Sequence, residues 1–224
     1  MVFKNFFAQP KIKTLKRFFH ADEKIRILDI GCGNGSPSLF KHYWPNSEYH
    51  AIDIQYYNLS ASDIDQIDRM YIVEPHELYN NLELSTYNAI VLNHTIEHMP
   101  NAYEILQQLC GYLEDHGVIY IAFPSEKSLS FPTAIGTLQF CDDSTHVFVP
   151  HFREVSNILL AGGCRIKYAG QSRDKPRFIL GFFMYIINIV KRIFGMKLSA
   201  RGLWYFLGFE SLCIGIKNVK ESEK

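Results

Sequence analysis

The chain has 224 residues, of which 47% are hydrophobic and 14% aromatic, and its formal net charge is zero. This length suits one α/β domain, and the apolar content supports a sizeable core, which excludes global disorder. The five cysteines are scattered with no C-x-x-C pair, which argues against a disulfide framework or structural zinc and favours a reducing compartment. The N-terminal stretch lacks the apolar core of a signal peptide, so we expect a cytoplasmic protein.

The zero net charge hides a strong asymmetry along the chain. Residues 1–20 hold five Lys or Arg and no acid, and residues 165–224 hold twelve Lys or Arg against four acids. These segments therefore carry +5 and +8, which leaves −13 for residues 21–164. The pattern predicts that both ends contribute to one basic surface, facing an anionic membrane or a phosphorylated substrate. Ordinary solvated lysines are the alternative.

Short apolar runs alternate with segments of helical periodicity, which predicts a parallel sheet with right-handed crossovers. The first helix, over 3–20, is basic and amphipathic, and Ser36 followed by Pro37 suits the N-cap and first position of the second. Residues 124–150 show no clear pattern. The predicted strands are 25–30, 48–53, 70–73, 87–93, 117–123, 164–169 and 208–217. The predicted helices are 3–20, 37–43, 101–113 and 152–161.

One segment, 172–203, does not fit this alternation. Its stretch from Phe178 to Val190 is nearly all apolar, with basic residues on both sides. At roughly 13 residues it is shorter than the ~20 that a membrane-spanning helix needs. A buried lid helix and an interfacial membrane helix are the two interpretations. In either case we expect an insertion that caps the acceptor site of a single domain, 1–224.

The first predicted strand runs into a glycine-rich turn, Asp29-Ile30-Gly31-Cys32-Gly33-Asn34-Gly35. A strand, a glycine turn and a helix N-terminus form a site for a polar nucleotide ligand. The dinucleotide fingerprint would require glycine or alanine where this chain has Ser36. The D-x-G-x-G-x-G form instead resembles the first motif of class I S-adenosylmethionine (SAM)-dependent methyltransferases. Asp53 ends the second strand, where an acid accepts hydrogen bonds from ribose hydroxyls, although this feature also serves NAD.

A second motif, Asn93-His94-Thr95-Ile96-Glu97-His98-Met99-Pro100, extends the likeness. Over residues 25–165 the chain resembles the "methyltransferase domain 11/23" group. It departs from that pattern at Asp115-His116-Gly117, which replaces a proline-glycine-glycine turn. The resemblance implies a Rossmann-like three-layer α/β sandwich, with a mostly parallel seven-stranded sheet and an antiparallel last strand. It also implies that the residues contacting the adenine ring lie in the region 70–80, specifically at 74–78. The SAM-binding residues that it implies are Asp29, Gly31, Cys32, Gly33, Gly35, Asp53, Ile54 and Asn93.

Methyl transfer to oxygen requires an oriented acceptor and a base that removes its proton. Histidine titrates near neutrality, and the candidate bases are His94, His98, His146 and His151. His94, Glu97 and His98 would share one face of a helical turn, and His146 would close a catalytic set. A similar arrangement holds a divalent metal in small-RNA 2′-O-methyltransferases, so three histidines and one carboxylate suggest zinc or another transition ion. The alternative is that Glu97 and His98 only shape the SAM pocket.

Three functional hypotheses remain open. The first is a SAM-dependent O-methyltransferase acting on a sugar of a surface-glycan precursor, with a lipid-linked acceptor and peripheral membrane contact through 1–20 and 172–203. The second is a methyltransferase for a quinone-type small molecule or a lipid. The third is a SAM-binding scaffold without catalysis. No nucleic-acid partner is expected, since the chain lacks the N/D-P-P-Y/F signature of amino-group DNA enzymes.

Overall fold

The computed structural model describes residues 8–56, 59–73, 77, 86–131, 138–197, 199 and 203–219. Short 3₁₀ turns lie at Ile96–His98, Glu126–Ser130 and Phe140–Asp142. In chain order the helices and strands are α1 Pro10–Leu15, β1 Arg26–Ile30, α2 Ser36–Tyr43, β2 Glu48–Asp53, α3 Ala61–Ile64, β3 Arg69–Ile72, β4 Tyr87–Asn93, α4 Ala102–Tyr112, β5 Leu113–Pro124, α5 Phe152–Ala161, β6 Cys164–Gln171, α6 Lys175–Ile193, α7 Leu203–Leu207 and β7 Glu210–Lys217.

The seven strands form one sheet in the order β3-β2-β1-β4-β5-β7-β6. Strand β7 runs antiparallel to β5 and β6, and the other neighbouring strands are parallel. This confirms the predicted Rossmann-like sheet with its antiparallel last strand. The strand order reverses between β1 and β4, and in open α/β sheets ligands bind at the carboxyl ends of the strands at such a point.

The core occupies both faces of the sheet, which explains why the central strands are continuous apolar runs. On one face Leu28 packs in a cluster with Ile105 of α4 and Leu159 of α5. On the other face Ile27 packs in a cluster with Ile12 of α1 and Phe40 of α2. Helices, sheet and helices therefore form the three layers that the resemblance implied.

Two N-terminal details differ from the prediction. Helix α1 is limited to Pro10–Leu15, while residues 1–7 of the predicted helix lie outside the described residues. Ser36 lies inside α2, and Gly35 occupies the N-cap with φ 77°. The Ser36 hydroxyl donates a hydrogen bond to Asp29 and makes no N-cap bond. Ser36 is therefore the first residue of α2 and not its N-cap.

Strand β5 and helix α3 also correct the prediction. Strand β5 begins at Leu113, four residues before the predicted start, because Tyr87 of β4 already pairs with Leu113 across a register shift. His116 of β5 has φ 64°. Helix α3 lies where no helix was predicted, and Ser60 begins it through a capping box with Asp63.

The 172–203 segment lies between β6 and β7 and contains α6. Because β6 is parallel to β1 and β4, the chain that follows Gln171 leaves from the same edge of the sheet as the glycine turn. Asp174 begins α6 by accepting a hydrogen bond from the Arg177 amide at 3.2 Å. Nothing in the described part of the chain combines the length and hydropathy that a bilayer-spanning helix requires.

The surface of α6 is apolar, so the interpretation of this segment as a buried helix is wrong. Only Gly181 and Asn188 of α6 are buried, and the Asn188 amide bonds the backbone of Ser199 at 2.7 and 3.0 Å. The two residues that interrupt the apolar run therefore mark its inner face. Its exposed apolar side chains are Phe178, Ile179, Leu180, Phe182, Phe183, Tyr185, Ile186, Ile187, Ile189, Val190 and Ile193.

Candidate functional site

The glycine turn between β1 and α2 has a left-handed backbone at each of its glycines. Gly31, Gly33 and Gly35 have φ of 68°, 55° and 77°, a region that side-chain-bearing residues rarely adopt. A Cβ on Gly31 would lie 2.6 Å from Thr95 Oγ1. The Thr95 hydroxyl in turn donates to the Ile30 carbonyl at 2.9 Å. The loop after β4 therefore packs directly on the turn, a contact that the sequence analysis missed.

Asp29, just before the turn, is almost completely buried. Its Oδ2 accepts hydrogen bonds from the Ser36 hydroxyl and from the Tyr49 hydroxyl at 2.7 Å, and Lys11 Nζ lies 3.7 Å away. Its Oδ1 has no hydrogen-bond partner among the residues described. One oxygen thus anchors the turn to α2 and β2, while the other remains available as an acceptor.

Asp53, at the carboxyl end of β2, lies beside the same turn and is half-buried. Burial raises the pKa of its carboxyl, and the amide groups of Ile54, Gly33 and Gln55 partly offset that rise. The Ile54 amide donates to Oδ1 at 2.8 Å, while the Ile54 side chain is 55% exposed. An acid and an exposed apolar side chain therefore stand together next to the glycines.

Asp63 of α3 is a site-supporting residue that the sequence analysis missed. Its carboxylate accepts hydrogen bonds from the Gly35 amide at 3.1 Å and from the hydroxyls of Ser38 and Ser60 at 2.6 and 2.7 Å. Burial raises the pKa of this carboxyl, but these hydrogen bonds outweigh burial and bring it to about 2. The ionised side chain ties the end of the glycine turn to α3. A capping serine three residues before an acid was the available sequence signal.

His94 follows β4 in a left-handed conformation, with φ 57°. Its Nε2 lies 2.9 Å from Glu210 Oε2 and its Nδ1 lies 3.4 Å from Glu97 Oε1. Burial lowers the pKa of the imidazole, but the two carboxylates outweigh burial and raise it to about 10. His94 is therefore an imidazolium at neutral pH, which suits a positively charged positioning group and not a proton acceptor. Glu210 was not foreseen, because it lies 116 residues away in β7.

Three of the four predicted catalytic residues converge. Glu97, His98 and His146 each offer a ligand atom within 4.8 Å of the others, and the rings of His98 and His146 lie 4.8 Å apart. His94 contacts Glu97 but lies outside this cluster, because it is also paired with Glu210. The predicted set of three histidines and one carboxylate is thus corrected to two histidines and one carboxylate.

The other candidates are placed as follows. Asn93 ends β4 next to the turn, and Cys32 is buried within it; burial, with Asp29 and Asp53 nearby, raises the pKa of its thiol to about 12. His151 is not part of the histidine cluster; its Nδ1 accepts from the Arg153 amide at 3.1 Å and so caps α5. Except for Glu77, the predicted adenine-contact residues 74–78 lie outside the described residues.

A family model described as a methyltransferase domain matches residues 5–168. Over 116 residues the chain is 27% identical to a malonyl-(acyl-carrier protein) O-methyltransferase of Bacillus anthracis, covering 50% of this chain and 42% of that protein. The chain spans less than half the length of the curated relatives it matches.

Two solved structures show the same fold at low sequence identity. A SAM-dependent methyltransferase from Archaeoglobus fulgidus is 17% identical with a TM-score of 0.59, covering 96% of this chain and 98% of that one. Phosphoethanolamine N-methyltransferase 2 of Haemonchus contortus, solved with S-adenosyl-L-methionine, is 16% identical with a TM-score of 0.62, covering 93% of this chain and 52% of that one.

Proposed function

Because the chain belongs to the methyltransferase-domain family of class I SAM-dependent enzymes, we propose that it transfers the methyl group of SAM to a hydroxyl of a lipid-linked glycan precursor. The observation that carries the SAM part is the left-handed glycine turn at the switch point of the sheet, with Asp53 ending the neighbouring strand. Such a turn lets a ligand approach the backbone closely, and an acid at this place accepts from ribose hydroxyls.

In this proposal the ligand groups are divided among the residues around the turn. Asp53 binds the ribose hydroxyls, and the exposed Ile54 side chain packs against the adenine. The free Oδ1 of Asp29, the backbone at Gly31, Cys32, Gly33 and Gly35, and the Asn93 side chain bind the methionine part. The buried, unpartnered acceptor on Asp29 supports this assignment, since an ammonium group would satisfy it.

SAM supplies an electrophilic methyl group, so the protein must orient the acceptor and handle its proton. The His94 imidazolium, held by Glu97 and Glu210, would position acceptor oxygens through its charge. His98 and His146 are the proposed proton acceptors, since both are half-buried and lie apart from the His94 ion pair. This division assigns His94 to positioning and the other two histidines to proton transfer.

A basic groove supports a phosphorylated acceptor. A cavity of about 710 Å³ lies between α1 and the start of α6, and Lys13, Arg17, Lys167, Arg173 and Lys175 line it. The N-terminal and C-terminal segments therefore meet in one basic surface, as the charge asymmetry predicted. Lys13 of one segment also pairs with Asp174 of the other at 2.7 Å. The lipid-phosphate link of a membrane-bound glycan would suit such a groove.

The outer face of α6 supports docking on an anionic membrane. Gly181 and Asn188 face inward and its apolar side chains face outward, the reverse of a helix on a water-soluble surface. Lys175 and Arg177 stand at its start, and Lys191 and Arg192 at its end. Apolar residues between basic ends match the acyl and headgroup layers of an anionic leaflet.

Methyl transfer from labelled SAM to nucleotide sugars, lipid-linked glycans, quinones and simple lipids tests the acceptor. We expect product only with a glycan acceptor, and more with its lipid-linked form. Methylation of only a quinone, a phenol or a lipid would contradict the glycan assignment. SAM binding with no turnover on any acceptor would instead favour the scaffold hypothesis.

Sedimentation with phosphatidylglycerol vesicles tests the membrane contact. Phe183→Glu and Ile187→Glu should each reduce the bound fraction at least tenfold, because each puts a charge among acyl chains. Leu160→Glu is the matched control, since Leu160 is at least as exposed as Ile187 and nearly as exposed as Phe183 but lies on α5. Equal binding of wild type and the two α6 variants, or equal binding to neutral phosphatidylcholine, would overturn this part of the proposal.

A further inference from the structure

We propose that Glu97, His98 and His146 form a binding site for a divalent transition-metal ion. One ligand atom from each side chain lies within 4.8 Å of the others, a spacing that one ion between them can span. The residues come from two separate segments: Glu97 and His98 follow β4, while His146 lies 48 positions further on. The Val147 amide donates to the Glu97 carbonyl at 2.9 Å and fixes the segments together.

The hydrogen bonds of His146 define its tautomer. Its Nδ1 lies 2.7 Å from the Phe140 carbonyl oxygen, which can only accept, so Nδ1 carries the proton and donates. In the neutral ring Nε2 then holds a lone pair. Metal-binding histidines commonly donate their other ring N–H to a backbone carbonyl in this way, which sets the ring orientation.

His98 has the same arrangement by a different route. The Thr145 hydroxyl donates to Asp143 Oδ1 at 2.5 Å, so its oxygen acts as an acceptor towards His98 Nδ1 at 2.9 Å. The Thr145 carbonyl lies 3.3 Å from the same nitrogen. His98 therefore donates from Nδ1 and keeps its Nε2 lone pair. Both histidines thus have the protonation pattern that metal coordination requires.

Glu97 supplies the independent observation that points to a cation. Its side chain is 0% exposed, and neither carboxylate oxygen has a hydrogen-bond partner among the described residues. Oε1 forms an ion pair with His94, whose Nδ1 lies 3.4 Å away, so Oε2 is the oxygen left without a partner among the described residues. Removing a carboxylate from water without hydrogen bonds is costly, and a directly bound cation offsets that cost.

The donor set selects the kind of ion. Two imidazole nitrogens and one carboxylate favour zinc and other transition ions over Mg²⁺ or Ca²⁺, which prefer all-oxygen ligands. Three protein ligands leave a coordination position for water or another oxygen ligand. The partial exposure of His98 and His146 provides access from solvent. In the proposed methyl transfer the ion would lower the pKa of the acceptor hydroxyl, and His98 and His146 would then serve as its ligands in place of accepting the proton themselves; that role rests on the proposed function, whereas metal binding does not.

Titration of the metal-free full chain with Zn²⁺ alone tests the proposal, with Co²⁺ absorption as a second readout. We expect one equivalent to bind, with no competition from millimolar Mg²⁺. His146→Gln and His98→Gln should each weaken Zn²⁺ binding at least tenfold. His151→Gln is the matched control and should leave the affinity unchanged, because His151 caps α5 outside the cluster. The circular dichroism spectrum of each variant checks that it is folded.

Two results would overturn the metal site. One is the absence of stoichiometric Zn²⁺ and Co²⁺ binding by the folded wild type. The other is binding that both cluster variants leave unchanged. A parallel titration of the wild type with SAM separates the two proposals, because Zn²⁺ binding without SAM binding contradicts the proposed function alone, and the reverse contradicts the metal site alone.

Discussion

The glycines of the turn share a left-handed backbone but differ in their surroundings. The space at Gly31 is filled by Thr95, whereas a Cβ on Gly33 would meet no atom within 4 Å. Backbone strain and side-chain overlap can therefore be separated by two substitutions. Strain alone costs an L-residue about 1–2 kcal/mol in this region.

Gly33→Ala should therefore lower the free energy of unfolding by about 1–2 kcal/mol. Gly31→Ala should lower the free energy of unfolding by about 3 kcal/mol or more, because the new methyl group adds a clash with Thr95 to the same backbone strain. Urea unfolding of the two variants without ligand measures the difference. Equal costs would show that Thr95 yields to the new methyl group.

His94 makes stability depend on pH in a defined direction. Its pKa is raised from 6.5 to about 10 in the folded chain, so its charge stabilises the fold fully below pH 6.5, and this contribution is lost as pH rises through about 10. Asparagine is the substitution of choice, since it tolerates φ 57° and carries no charge.

His94→Asn should be less stable than wild type by about 3 kcal/mol at neutral pH, because it leaves Glu97 and Glu210 unpaired. The difference should shrink as pH rises through about 10. Urea unfolding of both proteins between neutral pH and pH 10.5 tests this. A difference that does not change with pH would mean that packing on Trp204 and Phe209, and not charge, accounts for the cost.

The individual residues of the site could be predicted only in part from the sequence. Gly31, Asp53 and the Glu97–His98 pair could be recognised because they belong to contiguous motifs or end a strand. The contacts of Thr95 with the turn and of Glu210 with His94 could not, since they depend on how distant segments pack. His94 was predicted as a base because only Glu97 could be seen beside it in the sequence, whereas its second carboxylate neighbour, Glu210, is visible only in the folded chain.

Among the elements, the buried strands were the most predictable, because a strand covered on both faces must be an apolar run. The predicted 25–30 and 87–93 agree closely with Arg26–Ile30 and Tyr87–Asn93. Local sequence patterns did not predict the start or the presence of a helix where a tertiary contact determines it. The hydroxyl of Ser36 bonds Asp29 instead of capping α2, and α3 is stabilised by contacts between Asp63 and the glycine turn.

Asp63 links α3 to the glycine turn, so we expect a substitution of Asp63 to affect SAM binding as well as stability. Asp63→Asn replaces one accepting oxygen by a donor and should cost about 1–3 kcal/mol of folding free energy. It should also weaken SAM binding several-fold, although Asp63 is not among the residues proposed to contact SAM. Thermal unfolding and SAM titration measure the two effects.

Asp65→Asn is the control for this prediction, since Asp65 is exposed at the end of α3. It should change neither quantity. A stable Asp63→Asn variant with normal SAM affinity would show that α3 does not hold the turn in place.

For the whole molecule, the central feature is that three surfaces share one edge of the sheet. The glycine turn, the histidine cluster and the 172–203 segment all follow carboxyl ends of parallel strands. Trp204 and Phe209, which follow that segment, pack on His94 with ring centroids 5.4 and 6.0 Å away. The proposed membrane-facing helix and the SAM site are thus connected through His94, which supports the proposal that the acceptor is presented from a lipid surface.

The charge asymmetry of the sequence is explained by the way distant segments come together in the folded chain. The basic ends lie far apart in the chain but line a common groove, while the acidic middle forms most of the sheet. The family was predictable from its motifs, and the seven-stranded sheet with its antiparallel last strand followed from the family resemblance. The outward apolar face of α6 was left open between two interpretations, since its apolar run is compatible with a buried and with an interfacial helix.

Equilibrium titration of SAM into the folded wild type and into Asp53→Ala tests whether the glycine turn and Asp53 bind SAM. We expect one SAM per chain, and an affinity about 5- to 150-fold weaker for the variant, the loss of about 1–3 kcal/mol expected for buried hydrogen bonds to the ribose. Asp22→Ala, which alters an exposed acid before β1, should bind like wild type. No saturable binding by the wild type would contradict SAM binding, and equal affinity of Asp53→Ala would contradict the role of Asp53 in it.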